Sequence, residues 1–175
     1  MLKTGLAKEF YQDIKTALVP FTDPVVYGRS TLENSSFIAS SANPDPSVHG
    51  RGFVARLSGS TVEFLNMWFL MFVGKQPFVY DHKNDVLGFQ LQPILPKWLF
   101  RADGTVTFTL FSNVEVTYVN ASGRDTFGEN SVQPVKYTIN FNDGKEEEVS
   151  SSIITGKVAS SIREGDVAKI LVELN

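Results

Sequence analysis

The sequence predicts a mainly β protein. An antiparallel β-sandwich or jelly-roll is expected over residues 78–175, preceded over residues 1–77 by two helices and a long loop. Three observations carry this. Apolar residues alternate with polar ones throughout the second half, turn-forming pairs separate the alternating runs, and helical periodicity is confined to two stretches of the first half.

Leu2, Leu6, Phe10, Ile14 and Leu18 recur at helical spacing, with Lys3, Lys8, Glu9, Asp13 and Lys15 off that stripe. This predicts an amphipathic helix, which Pro20 ends. Residues 20–60 have little periodicity and many breakers, among them Pro24, Gly28, Pro44, Pro46, Gly50 and Gly52. A loop of that length is usually functional or packed against something else. Ser60 and Glu63 have capping-box spacing, so the second helix is expected to start at Thr61 and to stop at Gly74 and Pro77. From Val62 to Val73 its only polar residues are Glu63 and Asn66. A helix apolar on all sides must be buried on all sides. It is too short for a bilayer, which needs about 20 residues. It therefore needs a large protein core around it.

Four segments then alternate with period two. They are Thr105–Leu110, Val114–Tyr118, Tyr137–Phe141 and Lys169–Leu174. One apolar face per segment is the pattern of half-buried antiparallel strands. Asp103-Gly104, Ala121-Ser122-Gly123 and Asp143-Gly144 mark turns, the last reading as a tight hairpin with positive φ at both central residues.

Composition narrows the function classes. Apolar residues make up 42% of the 175, enough for a real core. A net charge of -3 gives no basic surface for nucleic acid. No cysteine is present, which removes thiolate metal sites and disulfides and fits a cytoplasmic protein. The first eighteen residues lack the continuous apolar core of a signal peptide. His49 and His82 are far apart, so no metal site is expected. Phosphate-loop, dinucleotide and nucleophile-elbow motifs are missing.

Two regions concentrate polar chemistry. Gly50-Arg51-Gly52 and Ser58-Gly59-Ser60-Thr61 precede the apolar helix. Unpaired amides and the dipole at a helix start attract anions, and small residues allow close approach. The same residues also read as an ordinary helix cap, the commoner case. In Tyr27–Phe37, Arg29 and Glu33 can either contact sugar hydroxyls or pair with each other.

These residues resemble the C-terminal end of the helical barrel in glycoside hydrolase family 94, the cellobiose and chitobiose phosphorylases and cyclic glucan synthases. The family shows a Gly-Arg-Gly-Gly segment, then Thr-Gly-Ser/Thr, then a helix ending Gly-Ile-Arg-Pro. Here Gly50-Arg51-Gly52, Ser58-Gly59-Ser60-Thr61 and Gly74-Lys75-Gln76-Pro77 follow that pattern. Glu33-Asn34-Ser35-Ser36 is similar to the family's Glu-Asn-Gly-Gly, and Leu91–Trp98 to its Pro-x-Leu-Pro-x-x-Trp lead-in to a C-terminal β-domain. The resemblance covers residues 20–125.

The resemblance implies that residues 1–77 are the end of an (α/α)6 barrel. It implies phosphate binding at Ser58 and Gly59, with Arg29, Glu33, Arg51 and Ser60 as sugar or anion contacts. The family's phosphate-binding histidine falls here on Ser40, and no stretch matches its general-acid aspartate. Catalytic residues are therefore not expected on this chain. The expected function is a non-catalytic C-terminal portion of a glycoside phosphorylase or hydrolase. It would support the barrel and the active-site rim, with no cofactor and with inorganic phosphate as a substrate of the parent enzyme. Expected partners are the missing barrel portion or a split subunit, and carbohydrate. The isolated chain is expected to self-associate, with no nucleic acid or membrane partner. A stand-alone carbohydrate-binding sandwich and a structural interaction module are the alternatives.

Overall fold

A computed structural model describes residues 1–17, 23–28, 30, 37–53 and 58–175, with the backbone alone for residues 58–61. The described residues form four α-helices and ten strands. By packing they divide into two compact units, one of Met1 and Lys3–Asn66, the other of Leu2 and Met67–Asn175.

A 3-10 turn over Leu2–Thr4 precedes helix α1, Ala7–Ala17, of the first unit. The helix begins later than its apolar spacing suggests. Gly5 takes φ +82°, a left-handed conformation that separates the turn from the helix. Ala7, Phe10 and Tyr11 are buried, the two rings meeting edge-on at 5.0 Å. Burial pushes the Tyr11 phenol well above its usual pKa.

The stretch expected as a loop holds a one-turn helix α2 (Pro24–Tyr27) and a two-stranded ladder, β1 (Phe37–Ile38) with β2 (Gly52–Phe53). Asp23 caps α2 by accepting from the Val25 amide at 2.8 Å, and Pro24 supplies the preset φ of a first helical position. Helix α3 spans Ser58–Phe72, three residues ahead of the expected Thr61 start. Ser60 therefore lies inside the first turn and does not cap it.

The second unit is mainly β. Strands β3 (Phe78–Asp81), β4 (Val86–Phe89) and β9 (Ile154–Thr155) form one antiparallel sheet in the order β3-β4-β9. Strands β5 (Thr105–Leu110), β6 (Val114–Val119), β7 (Pro134–Phe141), β8 (Glu146–Val149) and β10 (Val167–Leu174) form the other, in the order β5-β6-β10-β7-β8. This larger sheet corrects the all-antiparallel expectation. β10 runs parallel to β6 and antiparallel to β7, because it arrives through a crossover helix, α4 (Lys157–Glu164), instead of a hairpin. The alternating segments gave no sign of that helix or of the direction of β10.

Two turns also differ from a simple reading. At Asp143-Gly144 only Gly144 has positive φ, +86°, and the Asp143 carboxylate accepts from the Lys145 amide at 3.0 Å. The link is thus a four-residue turn with an Asx bond. The β5–β6 turn places Phe111 and Ser112 at φ 50° and 67°, in the left-handed region that bulky residues rarely enter. The Phe111 ring stacks on Phe78 at 5.7 Å.

Burial follows the strand alternation. Val114, Val116, Tyr118, Tyr137, Ile139, Ile170, Val172 and Leu174 point inward, joined by Phe89, Leu91, Leu95 and Ile162. The opposite face carries Thr107, Thr117, Leu171 and Thr138 in one cross-strand row, and Glu115, Lys169, Asn140 and Glu146 in another. Lys169 pairs with Glu115 at 3.0 Å, and Lys136 with Glu148 at 2.7 Å.

The last turn of α3 is built into this β unit. Helix ends leave carbonyls without intrahelical donors. Here the Met71 carbonyl accepts from the Ile94 amide at 2.7 Å, and the Val73 carbonyl from the Gln92 amide at 3.0 Å. The Phe72 carbonyl accepts from the Tyr118 hydroxyl at 2.6 Å. Gly74 (φ +94°) then turns the chain so closely that an added Cβ would sit 2.8 Å from the Gln92 carbonyl oxygen. The segment after Gln92 is held likewise: Thr126 donates its hydroxyl to the Pro93 carbonyl at 2.6 Å and accepts from the Leu95 amide at 2.7 Å.

Candidate functional site

The polar loop before α3 is ordered by its own side chains. Between β1 and β2 the chain closes through the Ala39 amide to the Arg51 carbonyl at 3.0 Å, and the Gly50 amide to the Ala39 carbonyl at 2.8 Å. Asp45 caps the 3-10 turn Pro46–Val48 by accepting from the Ser47 amide at 2.9 Å. Hydrogen bonds from the Ser47 side chain and backbone hold the Asp45 carboxyl below its usual pKa. The Phe37 and Phe53 rings stack at 5.4 Å across the base of the loop.

His49 takes a structural position here, its Nε2 lying 2.8 Å from the Asn43 carbonyl oxygen. Ser40 accepts from the Ala42 amide at 3.2 Å and so stabilises its own turn. Arg51 is exposed. Ser58, Gly59 and Ser60 occupy the first turn of α3, where amides lack intrahelical acceptors. The Ser58 and Ser60 side chains, together with Arg29 and Glu33, lie outside the described residues. His82 sits in the Asp81–Asp85 turn expected for it, edge-on to the Tyr80 ring at 4.8 Å. The Asp81 carboxylate there accepts from the Asn84 side chain and the Lys83 amide, which lowers its pKa.

Among the described residues no cluster of His, Cys, Asp or Glu is grouped to hold a metal. No described helix is long and apolar enough to cross a membrane. Four described aspartates are shifted from their ordinary pKa: Asp45, Asp81, Asp103 and Asp143, all downward through hydrogen bonds to the ionised form. That direction is opposite to the raised pKa of a carboxylic acid that donates a proton in catalysis.

Neither a known protein family nor a curated protein matches this chain. Two clefts lined by described residues lie in the β unit. One, of about 520 Å³, lies between the β7–β8 hairpin and α4, with Lys145 and Lys157 facing Glu146, Glu147 and Asp166. The other, of about 320 Å³, is edged by Lys97, Arg101, Asp103, Asn120 and Ser122. Both are lined by residues of mixed charge.

The groups that sequence reasoning missed are the buried hydroxyls of Tyr118, Tyr137 and Thr126. Tyr137 accepts from the Leu91 amide and donates to the Ser152 carbonyl, both at 3.2 Å. Two tyrosines at inward positions of Val/Ile/Thr strands were the available signal, since a buried phenol needs a partner.

Proposed function

We propose that the chain is the C-terminal, non-catalytic portion of a carbohydrate-active enzyme of the glycoside hydrolase family 94 type. In this reading residues 78–175 are a jelly-roll-like supporting domain, and the helical segment is the end of an (α/α)6 barrel. One observation carries it. The final turn of α3 is locked into the β unit through Met71, Phe72 and Val73, whereas Val62, Leu65 and Phe69 of the same helix remain 62%, 63% and 37% exposed. Their spacing places them on one helical face. Exposed apolar residues along one face of a helix are what a barrel helix shows when its neighbours are elsewhere. The order of motifs, from Gly50-Arg51-Gly52 through Ser58-Gly59 to Pro93–Trp98, supports the same reading. The helix start at Ser58 leaves the Ser58 and Gly59 amides pointing out of the first turn, as a phosphate site at those residues requires.

The stand-alone carbohydrate module has less support. The exposed face of the larger sheet carries Thr, Glu, Lys, Asn and Leu171, and none of the coplanar aromatics on which sugars stack.

The test is to assay the chain with cellobiose, laminaribiose and sophorose, with and without phosphate. It is assayed alone and co-expressed with the product of any adjoining upstream reading frame that encodes helices. The chain alone is expected to be inactive, and the pair to turn over at least one substrate. Gly59→Val is expected to abolish phosphate dependence in the pair, and Ser58→Ala to weaken it by about 1 kcal/mol. Turnover by the chain alone, or an unchanged phosphate response in both variants, overturns the proposal.

A further inference from the structure

Strand β5 forms an outer edge of the five-stranded sheet, and most sheet edges are protected by charge, proline or bulges. The opposite edge follows that rule, since β8 carries Glu146, Glu147 and Glu148 in sequence. β5 reads Thr105-Val106-Thr107-Phe108-Thr109-Leu110, with no charge and no proline.

The hydrogen bonds identify which backbone groups of β5 face outward. In the β5–β6 register Thr105 pairs with Val119, and one step earlier the Gly104 carbonyl accepts from the Asn120 amide at 2.9 Å. In an antiparallel ladder the bonded pairs alternate. Positions 106, 108 and 110 therefore turn their amides and carbonyls toward β6, as Gly104 does its carbonyl while its amide donates to the Arg101 carbonyl at 2.9 Å, and 105, 107 and 109 turn theirs away. Thr105 is already satisfied, its carbonyl accepting from the Arg101 amide and its amide donating to the Asp103 carboxylate, both at 2.9 Å. The amides and carbonyls of Thr107 and Thr109 have no partner among the described residues, and both residues are exposed.

We propose that β5 is a pairing edge for a second copy of this chain, two β5 strands meeting antiparallel about a two-fold axis at Phe108. In that register Thr107 lies opposite Thr109 of the other copy, and the reverse, so the four open groups on each strand make four hydrogen bonds in all. Thr105 keeps its local bonds. Side chains match across the axis: Phe108 faces Phe108, Val106 faces Leu110, and threonine faces threonine on the outer side. No charge is buried, and the two sheets become one. A copy is favoured over a different partner because the strand is neutral and complementary to itself. A charged partner would find no counter-charge on β5. So short a strand pair buries less than the roughly 1,200 Å² of most stable interfaces, so the dimer is weak and concentration-dependent.

The test is sedimentation velocity of the full chain over a concentration series. Reversible dimerisation is expected. Thr109→Pro removes an outward amide and no β5–β6 bond, so the far-UV spectrum should persist while association weakens at least tenfold. A second arm guards against a folding defect. Thr107→Lys/Thr109→Lys and Thr107→Glu/Thr109→Glu should each be monomeric, and mixing the two should restore dimers. A wild-type monomer throughout, a Thr109→Pro variant that dimerises as the wild type, or no association on mixing overturns the proposal. Dimerisation through the apolar face of α3 would give the second of these results.

Discussion

Replacing Tyr118 by phenylalanine removes one atom at the junction of helix and sheet. The Tyr118 hydroxyl donates to the Phe72 carbonyl at 2.6 Å; Tyr118 is fully buried, and Phe72 is 9% exposed. The ring remains, tilted against Phe108 at 5.7 Å, so no large cavity opens. The loss is then the hydrogen bond together with a buried carbonyl left without a donor, about 1–3 kcal/mol. With a urea m-value near 1–3 kcal/mol/M, a loss of about 2 kcal/mol moves the midpoint by about 1 M without changing the slope. The effect should also be local. The Val73 and Gly74 amides, bonded to the Phe69 carbonyl at 2.8 and 3.2 Å, should exchange with solvent faster than core amides of β10. A midpoint shift worth less than about 0.5 kcal/mol, with unchanged exchange at Val73 and Gly74, would refute the view that this hydroxyl anchors α3.

Gly74→Ala should cost more than about 2 kcal/mol, because a left-handed φ and a 2.8 Å approach to Gln92 act together; thermal denaturation measures it. The chain should lose stability in alkali. Burial raises the Tyr137 phenol to about 12 and holds the Tyr118 phenol well above its usual value, so above the unfolded value near 10 the unfolded chain releases protons that the native chain retains. Stability is thus full below pH 10 and falls as pH rises, by about 2 kcal/mol for Tyr137 alone by pH 12. A pH series of urea midpoints that stays flat from pH 9 to pH 11.5 would contradict this.

What the sequence disclosed, and what it withheld, follows from the range of the interactions involved. Strand positions were legible because Val114, Val116 and Tyr118, or Ile170, Val172 and Leu174, alternate with polar residues, and burial follows that alternation. The partner and direction of β10 were not, since alternation is the same in parallel and antiparallel pairs. The turn at Phe111-Ser112 was hidden because neither residue prefers positive φ, and the register of the β5–β6 hairpin imposes it. Gly74 was legible as a stop for α3, but the reason it must be glycine, the Gln92 backbone lying against it, comes from a residue eighteen positions further on. The polar loop disclosed which groups it offers. His49 and Ser40 proved to be spent on the loop's own backbone, which only coordinates can show.

The placement of β10 also sets the order in which this molecule can be made. Val167–Leu174 fills the slot between β6 and β7, yet β6 ends at Val119, so 167 − 119 = 48 positions separate its start from that neighbour. At synthesis rates of about 5–20 residues per second, the β5–β6 hairpin waits roughly 2–10 s after leaving the ribosome before its sheet can close. During that interval the inner borders of β6 and β7 are open templates, and the β7–β8 hairpin can dock on the wrong side or on a neighbouring nascent chain. Chaperone demand during translation should therefore peak between the emergence of β6 and that of β10, and a slower codon run within Asn120–Asp166 would prolong the exposure.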